Sequence, residues 1–158
     1  MKIFNNINLY VLVATLFFSL LSFEAISAKG FKKNSQKLLI QVDENTHCVS
    51  HVELAASADD NCAGSNLEKS CGKSVKNCVC MTSRKFITWE TSNNSRFQLV
   101  FTKDKPFDHQ CKLKSGDKKE IKCKIGPDEG VFDYDVIVDT CPSQVYDPRI
   151  VVRNIPRD

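Results

Sequence analysis

The residues of this chain that could do chemistry are eight cysteines, three histidines and a dense run of lysines. The cysteines are Cys48, Cys62, Cys71, Cys78, Cys80, Cys111, Cys123 and Cys141. As thiolates they would ligate metal or attack electrophiles; as disulfides they do neither. His47-Cys48, His51 and Cys78-x-Cys80 supply ligand types that suit zinc, but their spacing is not that of the common Cys-x2-Cys to His sites. The compartment decides between these chemistries. Lys2 gives a positive start, Leu9 to Leu21 is apolar except for Thr15 and Ser19, and Ala25-Ile26-Ser27-Ala28 offers small residues for cleavage. That layout predicts a secretory signal peptide over residues 1–28. The apolar run is short of the roughly 20 residues a spanning helix needs, and Glu24 follows it closely. The expectation is an exported protein, secreted or periplasmic, with no membrane span after cleavage. An even cysteine count in an oxidising compartment reads as four disulfides, with no metal and no cofactor. Eight cysteines allow about a hundred pairings.

A nucleophilic Cys–His pair needs a free thiol, which that reading removes. No Gly-x-Ser-x-Gly elbow is present either. What remains for catalysis is a small secreted hydrolase, nuclease-like, built on His109 or on His47 and His51. A cleft gathering histidine, carboxylate and lysine would sink a non-catalytic reading; histidines lying apart and outside any pocket would end the hydrolase. No catalytic residue is assigned. The net charge of +3 is mildly basic and points to no specific nucleic acid. Lys103, Lys105, Lys112, Lys114, Lys118, Lys119, Lys122 and Lys124 all fall between Thr102 and Ile125. On strands, Lys112 shares a face with Lys114, and Lys122 with Lys124. The last six of these lysines form a candidate cationic surface for an anionic polymer or other macromolecular partner. The competing explanation is a solvated hairpin whose charges blunt a sheet edge. No interleaved aromatics support stacking on single-stranded nucleic acid. An Asn93-Asn94-Ser95 sequon would matter only in a eukaryotic secretory route.

The elements that must position these residues are strands. In Gly130 to Val138, Phe132, Tyr134, Val136 and Val138 alternate with Asp133, Asp135 and Ile137, the signature of a strand with one face on a core. Further strands are predicted over Lys37–Val42, Asn77–Met81, Phe86–Glu90, Arg96–Thr102 and Arg149–Val152. Thr46 to Ala56 fits a strand or the start of a helical turn. Gln110–Lys114 and Lys119–Ile125 read as a hairpin around Ser115-Gly116-Asp117. If its turn centres on Asp117, Cys111 faces Cys123, and a bridge there is worth roughly 3 kcal/mol on a chain-entropy argument. Cys141 is expected to tie the end of the Gly130–Val138 strand to the N-terminal region. Cys78 and Cys80, on one side of a strand, are expected to take different partners. Ser57 to Lys76 is polar and long, stapled by Cys62 and Cys71, with a short helix around Ser65 to Ser70.

Two motifs carry a resemblance. Ile87-Thr88-Trp89 resembles the strand leading to the first ligand in cupredoxin-like domains, and Gly130-x-Phe132-x-Tyr134-x-Val136 resembles the strand that carries their copper thiolate. Asp128-x-Gly130-x-Phe132-x-Tyr134 is also similar to the Asp-x-Gly-x-Tyr-x-Cys run of immunoglobulin strands. Both resemblances imply a Greek-key sandwich. The copper cysteine position holds Val136 and the immunoglobulin cysteine position holds Tyr134. No histidine follows Trp89 before His109, so a blue-copper ligand set of two His and a Cys is not implied. Size, charge and cysteine count are similar to pancreatic-type ribonucleases, whose Cys-Lys-x-x-Asn-Thr-Phe signature is missing here.

The expected organisation is residues 1–28 as signal peptide, 29–36 as a flexible lead-in and 37–158 as one domain. Its class is all-β, a Greek-key β-sandwich, cupredoxin-like or immunoglobulin-like, with a cysteine-rich N-terminal excursion and about four disulfides. The expected function is non-catalytic binding, with a small hydrolase as the alternative.

Overall fold

Alternation of apolar and polar residues marks most of the eight strands, because such a segment can bury one face and wet the other; Cys78–Met81 and Arg149–Val152 are instead buried on both faces. The computed structural model describes residues 35–55, 62, 68–71 and 78–154. The proposed signal peptide and most of the Ser57–Lys76 stretch lie outside the described residues. In chain order the elements are β1 (Gln36–Val42), β2 (Val49–Leu54), a four-residue helix α1 (Glu68–Cys71), β3 (Cys78–Met81), β4 (Phe86–Thr91), β5 (Phe97–Phe101), β6 (Glu120–Lys124), β7 (Gly130–Val138) and β8 (Arg149–Val152). The strands form two four-stranded sheets, ordered β2-β1-β4-β6 and β3-β8-β7-β5. Pairing is antiparallel except for β1 with β4 and β3 with β8.

The core lies between the sheets. Leu38, Ile40, Val42, Ile87, Trp89, Ile121 and Cys123 come from the first sheet; Val79, Met81, Phe97, Leu99, Tyr134, Val136, Val138, Ile150 and Val152 come from the second. β7 behaves as its sequence predicts, with Tyr134, Val136 and Val138 buried and Asp133 exposed. Trp89 joins the layers: its Nε1 donates to Tyr134 Oη across 3.0 Å. Phe101 stacks on Tyr134 at 5.2 Å, and Phe107 meets both Trp89 and Phe101 edge-on at 5.8 Å and 5.3 Å.

Burial pushes the Tyr134 phenol far above its ordinary range, against a smaller downward pull from the Trp89 hydrogen bond. A raised value in the folded state means that folding holds a proton which the unfolded chain loses above about pH 10. The stabilisation is complete below that pH and declines above it. Stability above pH 10 is therefore expected to fall by up to about 1.4 kcal/mol per pH unit from this group alone. Urea unfolding followed between pH 8 and 11.5 measures it. Tyr134→Phe should show a shallower decline over the same range; equal slopes would contradict the assignment.

All eight cysteines are paired: Cys48–Cys141, Cys62–Cys80, Cys71–Cys78 and Cys111–Cys123. Cys141 does tie the end of β7 back to the chain before β2. Cys78 and Cys80 take different partners, as their spacing on β3 requires. Cys62 and Cys71 do not staple each other; each crosses to β3. There the four cysteines enclose Val151 in a small second cluster. Cys78 is in register with Arg149, and Cys80 with Val151. The cluster thus covers the face of β3 and β8 that points away from the main core.

Two expectations change. The first strand begins at Gln36, which is buried, one residue inside the stretch read as a lead-in. The hairpin does not form. Leu99 N–H donates to the Leu113 carbonyl and Ser115 N–H to the Phe97 carbonyl, both at 2.8 Å, while Gln98 bridges to Lys114. This stretch therefore runs along β5 in the second sheet, whereas β6 pairs with β4 in the first. Half-buried Leu113 and buried Ser115, whose hydroxyl accepts from Phe97 N–H at 2.8 Å, hold it there. The helix-or-strand ambiguity over Thr46 to Ala56 resolves as β2, following a turn in which Asp43 Oδ1 accepts from Thr46 N–H (2.7 Å), Thr46 Oγ1 and Asn45 N–H. Those donors hold the Asp43 carboxyl below the usual carboxylate range.

Candidate functional site

The side chains on β6 alternate, so Ile121 and Cys123 enter the core while Lys122 and Lys124 face out. β4 does the same, burying Ile87 and Trp89 and turning Phe86 and Thr88 outward. Antiparallel register sets Phe86 opposite Lys124 and Thr88 opposite Lys122. The Lys122 ammonium lies over the Phe86 ring, 5.2 Å from its centroid. β6 is the last strand of its sheet, and one end of it is covered. Gly126 N–H donates to the Pro106 carbonyl at 2.8 Å, and Asp108 N–H to the Lys124 carbonyl at 3.1 Å. Cys111 N–H then donates to the Asp108 carbonyl at 3.2 Å, bending the chain into a turn. The Cys111–Cys123 disulfide ties that turn to β6, with the two Cα atoms 5.1 Å apart.

Between turn and strand lies an open groove of about 560 Å³. Phe86, Asp108, His109, Gln110, Lys122 and Lys124 line it, together with that disulfide. Asp108 Oδ2 stands 3.6 Å from Lys124 Nζ. Among the described residues no carboxylate lies within ion-pair distance of Lys122, and no hydrogen bond orients the His109 ring. The groove thus offers a cation free to engage an anion, a second cation shared with Asp108, an exposed aromatic ring and several polar groups.

Of the six lysines proposed from sequence, the structure brings Lys122 and Lys124 to this groove. Lys112 and Lys114 are exposed on the stretch that follows β5, and Lys118 and Lys119 sit in the turn before β6. The hairpin expected to join these lysines is absent, because its arms belong to different sheets. Phe86 was not singled out by sequence. A signal was available, since the alternation of Phe86-Ile87-Thr88-Trp89-Glu90 already sends Phe86 to the wet side. Asp108 and Gln110 had no such signal, because the turn that presents them has no periodicity.

The histidines do not assemble. His109 is in the groove, while His47 and His51 are exposed near β2. Ser50, His51 and Glu53 mimic a relay, with Ser50 Oγ 3.2 Å from His51 Nδ1 and His51 Nε2 3.6 Å from Glu53. Ser50 Oγ, however, donates to the Gln41 carbonyl at 3.1 Å, so its proton is directed away from the imidazole. The hydroxyl is therefore not activated for attack.

The sketched zinc ligands are dispersed: Cys48 bonds Cys141 beside β2, and Cys78 and Cys80 lie on the second sheet. The sulfurs of Cys62, Cys71, Cys78 and Cys80 lie within 4.8 Å of one another. Each is in a disulfide, which removes the thiolate a metal would bind. Val136, at the copper-ligand position of the cupredoxin pattern, is fully buried opposite Leu99. On the far sheet, partial burial and then the charges of Asp133 and Asp135 raise the Asp147 carboxyl above its usual value. The Asp133 hydrogen bond raises Arg149 in turn.

No protein-family profile and no curated protein sequence matches this chain. Among solved structures, the chain is similar to a reduced point mutant of amicyanin, a cupredoxin-type sandwich, with a TM-score of 0.32 and 12% identity. That likeness covers 48% of this chain and 69% of the other.

Proposed function

We propose that this protein is an exported, non-catalytic binding domain that holds an anionic group of a polymer in the groove beside β6. One observation carries the reading. Lys122 and Lys124 stand side by side on an edge strand, next to a groove whose far wall is fixed by a disulfide. The disulfide and the sheet fix the backbone that presents the two charges, so binding has to order the lysine side chains but not the chain beneath them. Export is supported by the N-terminal pattern and by the pairing of every cysteine, the state expected in an oxidising compartment. Among the described residues no helix is long and apolar enough to cross a membrane.

The groove does hold a histidine, a carboxylate and lysines, the combination expected to sink a non-catalytic reading. Asp108 faces Lys124, however, and among the described residues no hydrogen bond orients His109 as a base. A general base is normally positioned by a third group.

The test is binding of dextran sulfate at several salt concentrations. Lys122→Gln with Lys124→Gln is expected to weaken it about tenfold and to flatten the salt dependence, since each lost contact removes up to about one unit of slope. Thermal stability should hardly change, because both side chains are exposed. Unchanged affinity would overturn the proposal. Cleavage of a polymer that disappears in His109→Asn would replace it with the hydrolase.

A further inference from the structure

We propose that the polymer is an acidic polysaccharide, a chain of uronate sugars, with one ring lying on Phe86 and its carboxylate between Lys122 and Lys124. This rests on the binding reading above and names the ligand class. Among the described residues the exposed large apolar side chains are Phe86, Val100, Val131 and Val145. Of these, Phe86 alone lines the groove. Its neighbours on the outer face of β4 and β6 are Thr88, Lys122 and Lys124, so its exposure belongs to no apolar patch. A solitary flat ring among cations presents a stacking surface to a partner that is apolar on one face and charged at its edge. A sugar acid has that form: axial C–H groups cover one face, and a carboxylate projects from the rim.

The other groove residues discriminate among polyanions. Asp108 carries negative charge, and the Gln110 amide offers a carbonyl acceptor beside its N–H donors. A polyphosphate or a dense acidic peptide would bring charge against Asp108 with few donors to satisfy it. A uronate chain brings several hydroxyl donors for each carboxylate, which Asp108 and Gln110 can accept while the lysines take the acid group. One aromatic ring provides no run of stacking platforms of the kind that single-stranded nucleic acid uses. The groove volume falls within the roughly 300–1,000 Å³ typical of small-ligand sites.

Lys122 supplies the exchange. In the free protein its ammonium rests on the Phe86 ring, 5.2 Å from the centroid, an exposed and therefore weak contact. An arriving carboxylate draws the ammonium to the rim and uncovers the ring for the sugar. Binding thus replaces a cation–π contact with an ion pair and a stacking contact.

The experiment compares the purified protein with an oligogalacturonate, a neutral maltooligosaccharide of equal length, inorganic polyphosphate and poly-glutamate by calorimetric titration. The oligogalacturonate is expected to bind tightest and the neutral sugar not measurably. Phe86→Ala should weaken oligogalacturonate binding roughly tenfold and leave any polyphosphate binding unaltered, while Phe86→Tyr should restore it. Retained polyphosphate binding in Phe86→Ala also shows that the groove is intact. Tighter binding of polyphosphate or poly-glutamate, or equal losses for all polyanions in Phe86→Ala, would overturn the polysaccharide assignment and leave the anionic groove standing. Insensitivity of every ligand to Lys122→Gln with Lys124→Gln, or no binding at all, would remove both.

Discussion

Trp89→Ala is expected to destabilise the domain by about 3–5 kcal/mol, the usual range for deleting a fully buried large aromatic side chain. Trp89 is fully buried on β4, and its ring is held edge-on by Phe107 and Tyr134 at 5.8 Å and 5.9 Å. The substitution leaves a cavity between the sheets that these rings cannot fill without leaving their own contacts. It also strips the donor from Tyr134 Oη, leaving a buried hydroxyl without its partner. Against a total stability of roughly 5–15 kcal/mol, such a loss consumes much of the margin. Since Trp89 is the single tryptophan, unfolding should be followed by circular dichroism in urea. Trp89→Phe should recover part of the loss, because a ring is retained while the Nε1 donor is not. A loss below about 1.5 kcal/mol for Trp89→Ala would show that this ring does not hold the two sheets together.

Replacing Cys48 and Cys141 together by alanine is expected to cost about 2–5 kcal/mol. These residues are 93 apart in sequence, so their bond restricts a long unfolded loop. The same argument assigns about 2 kcal/mol to Cys71–Cys78, which closes a loop of only 7 residues. The long bridge also anchors a local network. Thr140 Oγ1 donates to the His47 carbonyl at 2.7 Å, and Gln144 Nε2 donates to the Val49 carbonyl at 3.3 Å. These contacts join the turn before β2 in one sheet to the segment after β7 in the other. Urea titrations of the two double variants should rank them in that order. The reverse ranking would mean that strain or residual structure outweighs loop length.

Much of the architecture was legible in local pattern. β1, β4, β5 and β7 coincide with predicted strands to within about a residue at each end, because alternation with one buried face is a property of the segment itself, and β8 coincides as a short apolar run buried on both faces. The Cys111–Cys123 bond was also anticipated, though by an argument that does not hold. The hairpin invoked for it does not exist; the bond instead joins two segments that leave for different sheets. The error has a physical cause. Lys112 to Lys114 and Lys122 to Lys124 have the same periodicity, and periodicity identifies a strand-like segment without naming its hydrogen-bonding neighbour. The neighbour was chosen by Phe97 and Leu99, whose backbone groups were available along the open side of β5.

The candidate site was half legible for the same reason. Lys122 and Lys124 stood out because they share the outer side of one strand. That Phe86 faces out was readable, but not that it meets them: it does so through the register of β4 against β6, a pairing of residues far apart in sequence. Asp108, His109 and Gln110 reach the groove through a turn bonded to Lys124 and through a disulfide, and neither leaves a local trace.

The amino-acid sequence alone determined the all-β character, the side of each strand that would be buried, and an even set of cysteines suited to complete pairing. These follow from side-chain polarity and backbone period, which act over a few residues. Tertiary structure decided which sheet each strand joined, which sulfurs met, and that an aromatic ring, two lysines and a polar turn would share one groove. Those outcomes depend on contacts between distant segments, where the gain from burial must exceed the entropy of closing long loops. Several arrangements satisfy the same local pattern, and long-range contacts such as the packing of Trp89 on Tyr134 and the bonds of Phe97 and Leu99 to the 113–115 stretch select among them.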